Sequence, residues 1–155
     1  FNGERTPNLP NGRASITGMT TANTSRENIC RAAMESSVFA MRGGLEAFRK
    51  LGFQPKEIRL IGGGSKSSLW RQIAADVMNV PIRVPALDEA AALGGAVQAL
   101  WCLKSQSGKC DILCAEHITL DTSKSADPIP ENVEAYNKAY AEYTKVVDTL
   151  APLYK

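Results

Sequence analysis

Neither charge, nor cysteine spacing, nor hydrophobic length gives this chain an obvious role. Eighteen basic residues against 16 acidic ones leave a surplus of +2. That is too small and too scattered to suggest a partner with a phosphate backbone or an anionic membrane, so neither nucleic acid nor a bilayer is an expected partner. The longest run without charge, Ala90 to Leu103, falls short of the roughly 20 residues a bilayer span needs, and Gly94, Gly95 and Gln98 interrupt it. The single histidine, His117, has no serine or cysteine nearby that reads as a nucleophile partner, so nucleophilic catalysis through histidine is a weak reading. Cys110, Cys114 and His117, with Cys102 upstream, have the wrong spacing for a zinc knuckle, and no metal site is expected on this chain. The cysteines read instead as free thiols, and with no basic-then-apolar leader the expected compartment is the cytoplasm.

What is present suffices for a folded domain. With 155 residues, of which 44% are hydrophobic and 22% charged, the chain is long enough for one core. It opens at Phe1 on a Pro- and Gly-containing stretch that reads as the middle of a longer protein. Arg13 to Met19 alternates weakly, as a short strand would. Thr24 and Glu27 have the spacing of a capping box, which predicts a long helix with Ile29, Ala33, Ser36, Ala40, Gly44 and Phe48 on its apolar stripe. Glu57 to Ile61 and Pro81 to Pro85 read as short strands, each followed by a helix, from about Ser65 to Asn79 and from Asp88 to Leu103. Strand, helix, strand, helix implies a parallel pair in an α/β layer. Residues 104–130 read as a polar linker with a short helix near Asp111 to Glu116, and 131–152 as a terminal helix. On that last helix Val133, Tyr136, Tyr140, Tyr143, Val147 and Leu150 share one face, expected to pack back on its own domain.

The most informative local feature is Gly62-Gly63-Gly64, placed between an apolar strand and an amphipathic helix. Glycine allows a sharp turn and a close ligand approach, while a helix start offers unpaired N–H groups, so a nucleotide is the natural guest. The loop is not a Walker A motif, which would need glycine at Leu60 and Ser65, nor a Rossmann fingerprint, since Ser67 stands where the third glycine belongs. On these residues alone, a tight turn that binds nothing is equally good.

Three stretches go further. Gly3-Glu4-Arg5-Thr6-Pro7, then Ala14 to Met19 with Asn28 to Glu35, and then Gly62 to Ser67 with Trp70-Arg71-Gln72, Ala75-Asp76 and Ala92 to Ala96 together resemble the carboxyl-terminal domain of the FGGY carbohydrate kinases, the xylulose kinases most of all. The resemblance implies an actin-like ATPase or ribonuclease H-like α/β domain, a mixed sheet with flanking helices. It also implies that 1–155 is the nucleotide-side domain of an ATP-dependent sugar kinase. Gly62, Gly63, Gly64, Ser65 and Ser68 would contact ATP, with Gly63 and Gly64 passing close to the base and ribose. The amino-terminal domain of the same kinase would be the partner, supplying the aspartate general base, most sugar contacts and the Mg2+ ligands, so no catalytic residue is expected here and the fragment alone should be inactive. D-xylulose, yielding xylulose 5-phosphate, is the implied sugar. Gluconate, ribulose or glycerol kinases share the architecture, and a stand-alone nucleotide-binding or regulatory module is the alternative from another class.

Overall fold

The computed structural model describes residues 3–4, 7–87, 89–104 and 111–154. Where length suggested one core, these residues fall into two compact units.

The first unit holds residues 1–54, 76–79 and 129–155. Its long helix α1 spans Arg26–Lys50. The cap is Ser25, whose Oγ accepts from the Asn28 N–H at 3.2 Å, and not Thr24, whose hydroxyl is drawn back to the Thr20 carbonyl at 2.7 Å. The packed face of α1 also differs from the expected stripe. Val38 and Phe39 are the buried residues, while Ile29 is 39% and Phe48 59% exposed. Charged neighbours explain the rotation of the face: Arg42 donates to the Val77 carbonyl at 2.9 Å and Arg49 to the Met78 carbonyl at 2.8 Å. Their apolar stems are covered while their guanidinium groups satisfy the last carbonyls of a helix end, where positive charge is favoured.

The terminal helix, α5 in chain order, spans Pro130–Leu150. Its expected face is the one that packs: Val133, Tyr136, Tyr140, Tyr143, Val147 and Leu150 are half-buried between exposed neighbours. Phe39 lies 6.1, 5.8 and 5.2 Å from the Tyr136, Tyr140 and Tyr143 rings, measured between centroids. The Arg42 guanidinium sits 4.3 Å above Tyr140, a cation over a π face. Tyr136 donates to Glu35 at 2.8 Å and accepts from Arg31 at 2.7 Å. At the start of α5 the carboxylate of Asp76, only 2% exposed, accepts from the Ile129 N–H and the Asn132 amide, both at 2.8 Å. A buried anion is thereby paired with donors at the positive end of a helix. The expected strand over Arg13–Met19 does not form; that stretch finds no ladder partner among the described residues, and Ile16 and Met19 stand 62% and 51% exposed.

The second unit holds residues 55–75 and 80–128. Strand β1 (Ile58–Arg59) leads through the glycine turn into α2 (Ser68–Met78), whose residues up to Ala75 belong to this unit, and the chain returns as β2 (Ile82–Arg83). The strands are parallel, with Ile58 opposite Ile82 and Arg59 opposite Arg83, as the strand–helix–strand order implied. They are shorter than expected because ladder pairing stops where the flanking prolines remove donors. Asn79, at φ 50, takes the left-handed turn that ends α2, a conformation asparagine tolerates.

Residues 104–130 carry more structure than a linker needs. Beyond α3 (Ala90–Leu103) the chain forms α4 (Asp111–His117), which contributes the buried Leu113, and then returns to the sheet. Isolated antiparallel bridges join Ile82 to Ala126 and Pro85 to Leu120, but among the described residues the sheet itself is the two-stranded parallel pair, smaller than the mixed sheet expected. Ile73, Ala74 and Ala75 of α2, with Ile82 and Val84, are buried in this unit's core at 2% exposure or less. Among the described residues no helix is long and apolar enough to cross a membrane.

Candidate functional site

The site is built on the step from β1 to α2. Leu60 is buried, and two residues later the chain must turn outward; Gly62 does so at φ 81, a left-handed value that an L side chain resists. Gly63–Lys66 then wind as one turn of 3₁₀ helix. Ser65 closes this turn on itself: its N–H and its hydroxyl both donate to the Gly62 carbonyl, at 3.1 and 2.7 Å. Ser67 starts α2 as its cap, accepting from the Trp70 N–H at 3.2 Å through Oγ, while its own N–H donates to the Gly64 carbonyl at 3.2 Å.

The five residues expected to hold the nucleotide therefore divide into two groups. Gly62 and Gly63 are exposed and face open space, with no heavy atom within 4 Å of where a Cβ would stand. Ser68 is exposed at the first position of α2. Together they present bare backbone, a hydroxyl and the start of a helix, whose Trp70 N–H is already taken by the Ser67 cap, on one short stretch. Gly64 and Ser65 serve the protein itself. A Cβ on Gly64 would stand 1.6 Å from Cζ3 and 1.9 Å from Cε3 of Trp70, so the space next to Gly64 belongs to an indole ring and not to a ligand. Ser65 is 4% exposed with its hydroxyl committed to Gly62.

Three further residues shape the site; they lie in the stretch that carries the resemblance but were not named among its nucleotide contacts. Ser67 is the cap. Trp70 fills the space beside Gly64. Arg71, 9% exposed, donates from Nη1 to the Ser65 carbonyl at 2.7 Å. A serine just before an amphipathic run is a legible cap signal. Nothing in the spacing says which glycine the tryptophan covers.

Cys30, Cys102 and Cys114 are free thiols. Cys110 lies outside the described residues, and among the described residues no three histidine, cysteine or acidic side chains group as metal ligands.

A glycine turn opening onto a helix start beside a small parallel sheet has counterparts among known proteins. A family model described as the C-terminal domain of the FGGY family of carbohydrate kinases matches residues 1–103. The chain belongs to the FGGY family. The Haemophilus influenzae protein named xylulose kinase is 50% identical over 143 residues, covering 92% of this chain and 29% of that protein. This FGGY domain thus spans less than a third of its relative's length. Among solved structures, a ligand-bound xylulose kinase from Lactobacillus acidophilus matches 94% of the chain and 29% of its own at a TM-score of 0.84, with 24% identity. Plasmodium falciparum glycerol kinase with ADP matches 90% of the chain and 27% of its own at 0.72, with 26% identity. The FGGY kinase architecture is the actin-like ATPase fold, as expected.

Proposed function

We propose that this chain is the ATP-binding half of a sugar kinase that moves the γ-phosphate of ATP to a hydroxyl of D-xylulose. The observation that carries the nucleotide assignment is the open backbone at Gly62 and Gly63 beside the start of α2. Such a cradle fits ATP because a Cβ there would take the space a flat base or ribose needs, and because the first-turn N–H groups favour an electron-rich guest. Gly62, Gly63 and Ser68 would touch the nucleotide, and Gly64 and Ser65 would hold the turn that presents them. ATP supplies the phosphoryl group. Positioning and electrostatic stabilisation account for most of the acceleration in such transfers, so a rigid turn is a direct contribution to rate.

The general base, the sugar contacts and the Mg2+ ligands belong, on this reading, to an amino-terminal domain of the same protein, and the reaction to the cytoplasm. The 50% identity to a protein named xylulose kinase supports the sugar. The test is a coupled ADP-release assay of the full-length protein against D-xylulose, L-ribulose, D-gluconate and glycerol. The expected result is a kcat/KM for D-xylulose at least tenfold above the others. Preference for another of the four would replace the sugar and keep the kinase, whereas ATP binding with no turnover on any would favour a regulatory module.

A further inference from the structure

Arg71 is buried, yet its Nε has no hydrogen-bond partner among the described residues. A guanidinium taken out of water without full pairing is costly, and a methionine would fill a similar space without that cost. What the arginine adds is its bond to the Ser65 carbonyl, at 2.7 Å. The bonds that close the turn on itself are short-range: Ser65 to Gly62, and Ser67 to Gly64. They set the shape of the turn but not its distance from the body of α2. The Arg71 bond runs from the helix back across six residues and, together with the Trp70 ring seated against Gly64, fixes that distance.

We propose that Arg71 is a positioning residue for ATP. It holds the Gly62–Ser65 turn at a set spacing from the start of α2, so that the bare backbone of Gly62 and Gly63 and the Ser68 hydroxyl face one guest together. Without the bond, the turn loses its preset geometry and ATP binding has to order it. The inference rests on the nucleotide assignment above.

The experiment measures ATP affinity of the full-length protein by titration calorimetry, with the sugar KM and the melting temperature alongside, for Arg71→Met, Arg71→Lys and Gly63→Val. Arg71→Met is expected to weaken ATP binding at least tenfold while the sugar KM stays within twofold. Arg71→Lys, which keeps the charge but not the planar fork, should weaken it about threefold. A folded Arg71→Met protein whose ATP affinity is within twofold of the parent overturns the proposal, even if its melting temperature falls, because that is the signature of a purely structural residue. Should Arg71→Met fail to fold, Arg71→Lys decides alone, and an unchanged affinity overturns the proposal. Gly63→Val separates the two levels. If it leaves ATP binding intact, the nucleotide assignment fails and the proposal falls with it; if it abolishes binding while Arg71→Met does not, only the role of Arg71 is refuted.

Discussion

Replacing Gly64 by alanine is the sharpest test of how the glycine turn is built. The added Cβ would lie 1.6 Å from Cζ3, 1.9 Å from Cε3 and 2.8 Å from Cη2 of Trp70, whereas ordinary contact begins at 3.4 Å. The ring must therefore retreat by close to 2 Å, or the turn must lift off the helix by as much. Strain of this kind in a packed site costs about 1–3 kcal/mol. If the ring swings out instead, exposing roughly half of its 150–250 Å² at about 25 cal/mol per Å² costs about 2–3 kcal/mol. Both routes give the same order, so the expected loss is about 2–3 kcal/mol, read as a midpoint shift in chemical denaturation. Gly63→Ala is the control: it faces open space and should change stability by less than about 1 kcal/mol in either direction. The decisive measurement is a double-mutant cycle with Trp70→Val. With the ring gone, Gly64→Ala should cost almost nothing, giving a coupling of about 1.5 kcal/mol or more. An equal cost of Gly64→Ala with and without the ring would refute the interlock.

Other outcomes follow from the same geometry. Asp76→Ala leaves the Ile129 N–H and the Asn132 amide without their acceptor and removes an anion from the start of α5; a loss of about 3 kcal/mol is expected, with faster amide exchange at Ile129, and a loss under about 1 kcal/mol would show that water replaces the carboxylate. Burial raises the Tyr136 phenol above its ordinary value despite the opposing Arg31, and burial with the Glu4 charge raises Tyr143. Because the folded state holds these protons more tightly than the unfolded one, their contribution to stability is complete below about pH 10 and is lost as pH rises through the folded values. Denaturation midpoints should therefore fall above pH 10, and the fall should be shallower in Tyr136→Phe. The purified 155-residue chain should show no ADP release with D-xylulose; turnover that survives repurification would place a base within the chain and contradict the proposed division of labour.

Elements governed by local rules were legible in the sequence. The face of α5 could be read residue by residue because three tyrosines at helical spacing have one way to be covered. The parallel pair followed from strand–helix–strand order, and the three matching stretches pointed to the family before any coordinates. Contacts between distant residues decided the rest. The packed face of α1 turned away from the apolar stripe because Arg42 and Arg49 reach carbonyls 35 and 29 residues on, an attraction that hydrophobic periodicity does not register. Arg13–Met19 alternates like a strand but has no partner, and alternation without a ladder leaves a strand unformed. In the candidate site, Gly62, Gly63 and Gly64 look alike in sequence. Only tertiary structure separates a left-handed turn at Gly62 from open backbone at Gly63 and a seat for an indole ring at Gly64, because the missing Cβ of a glycine matters according to what stands in its place.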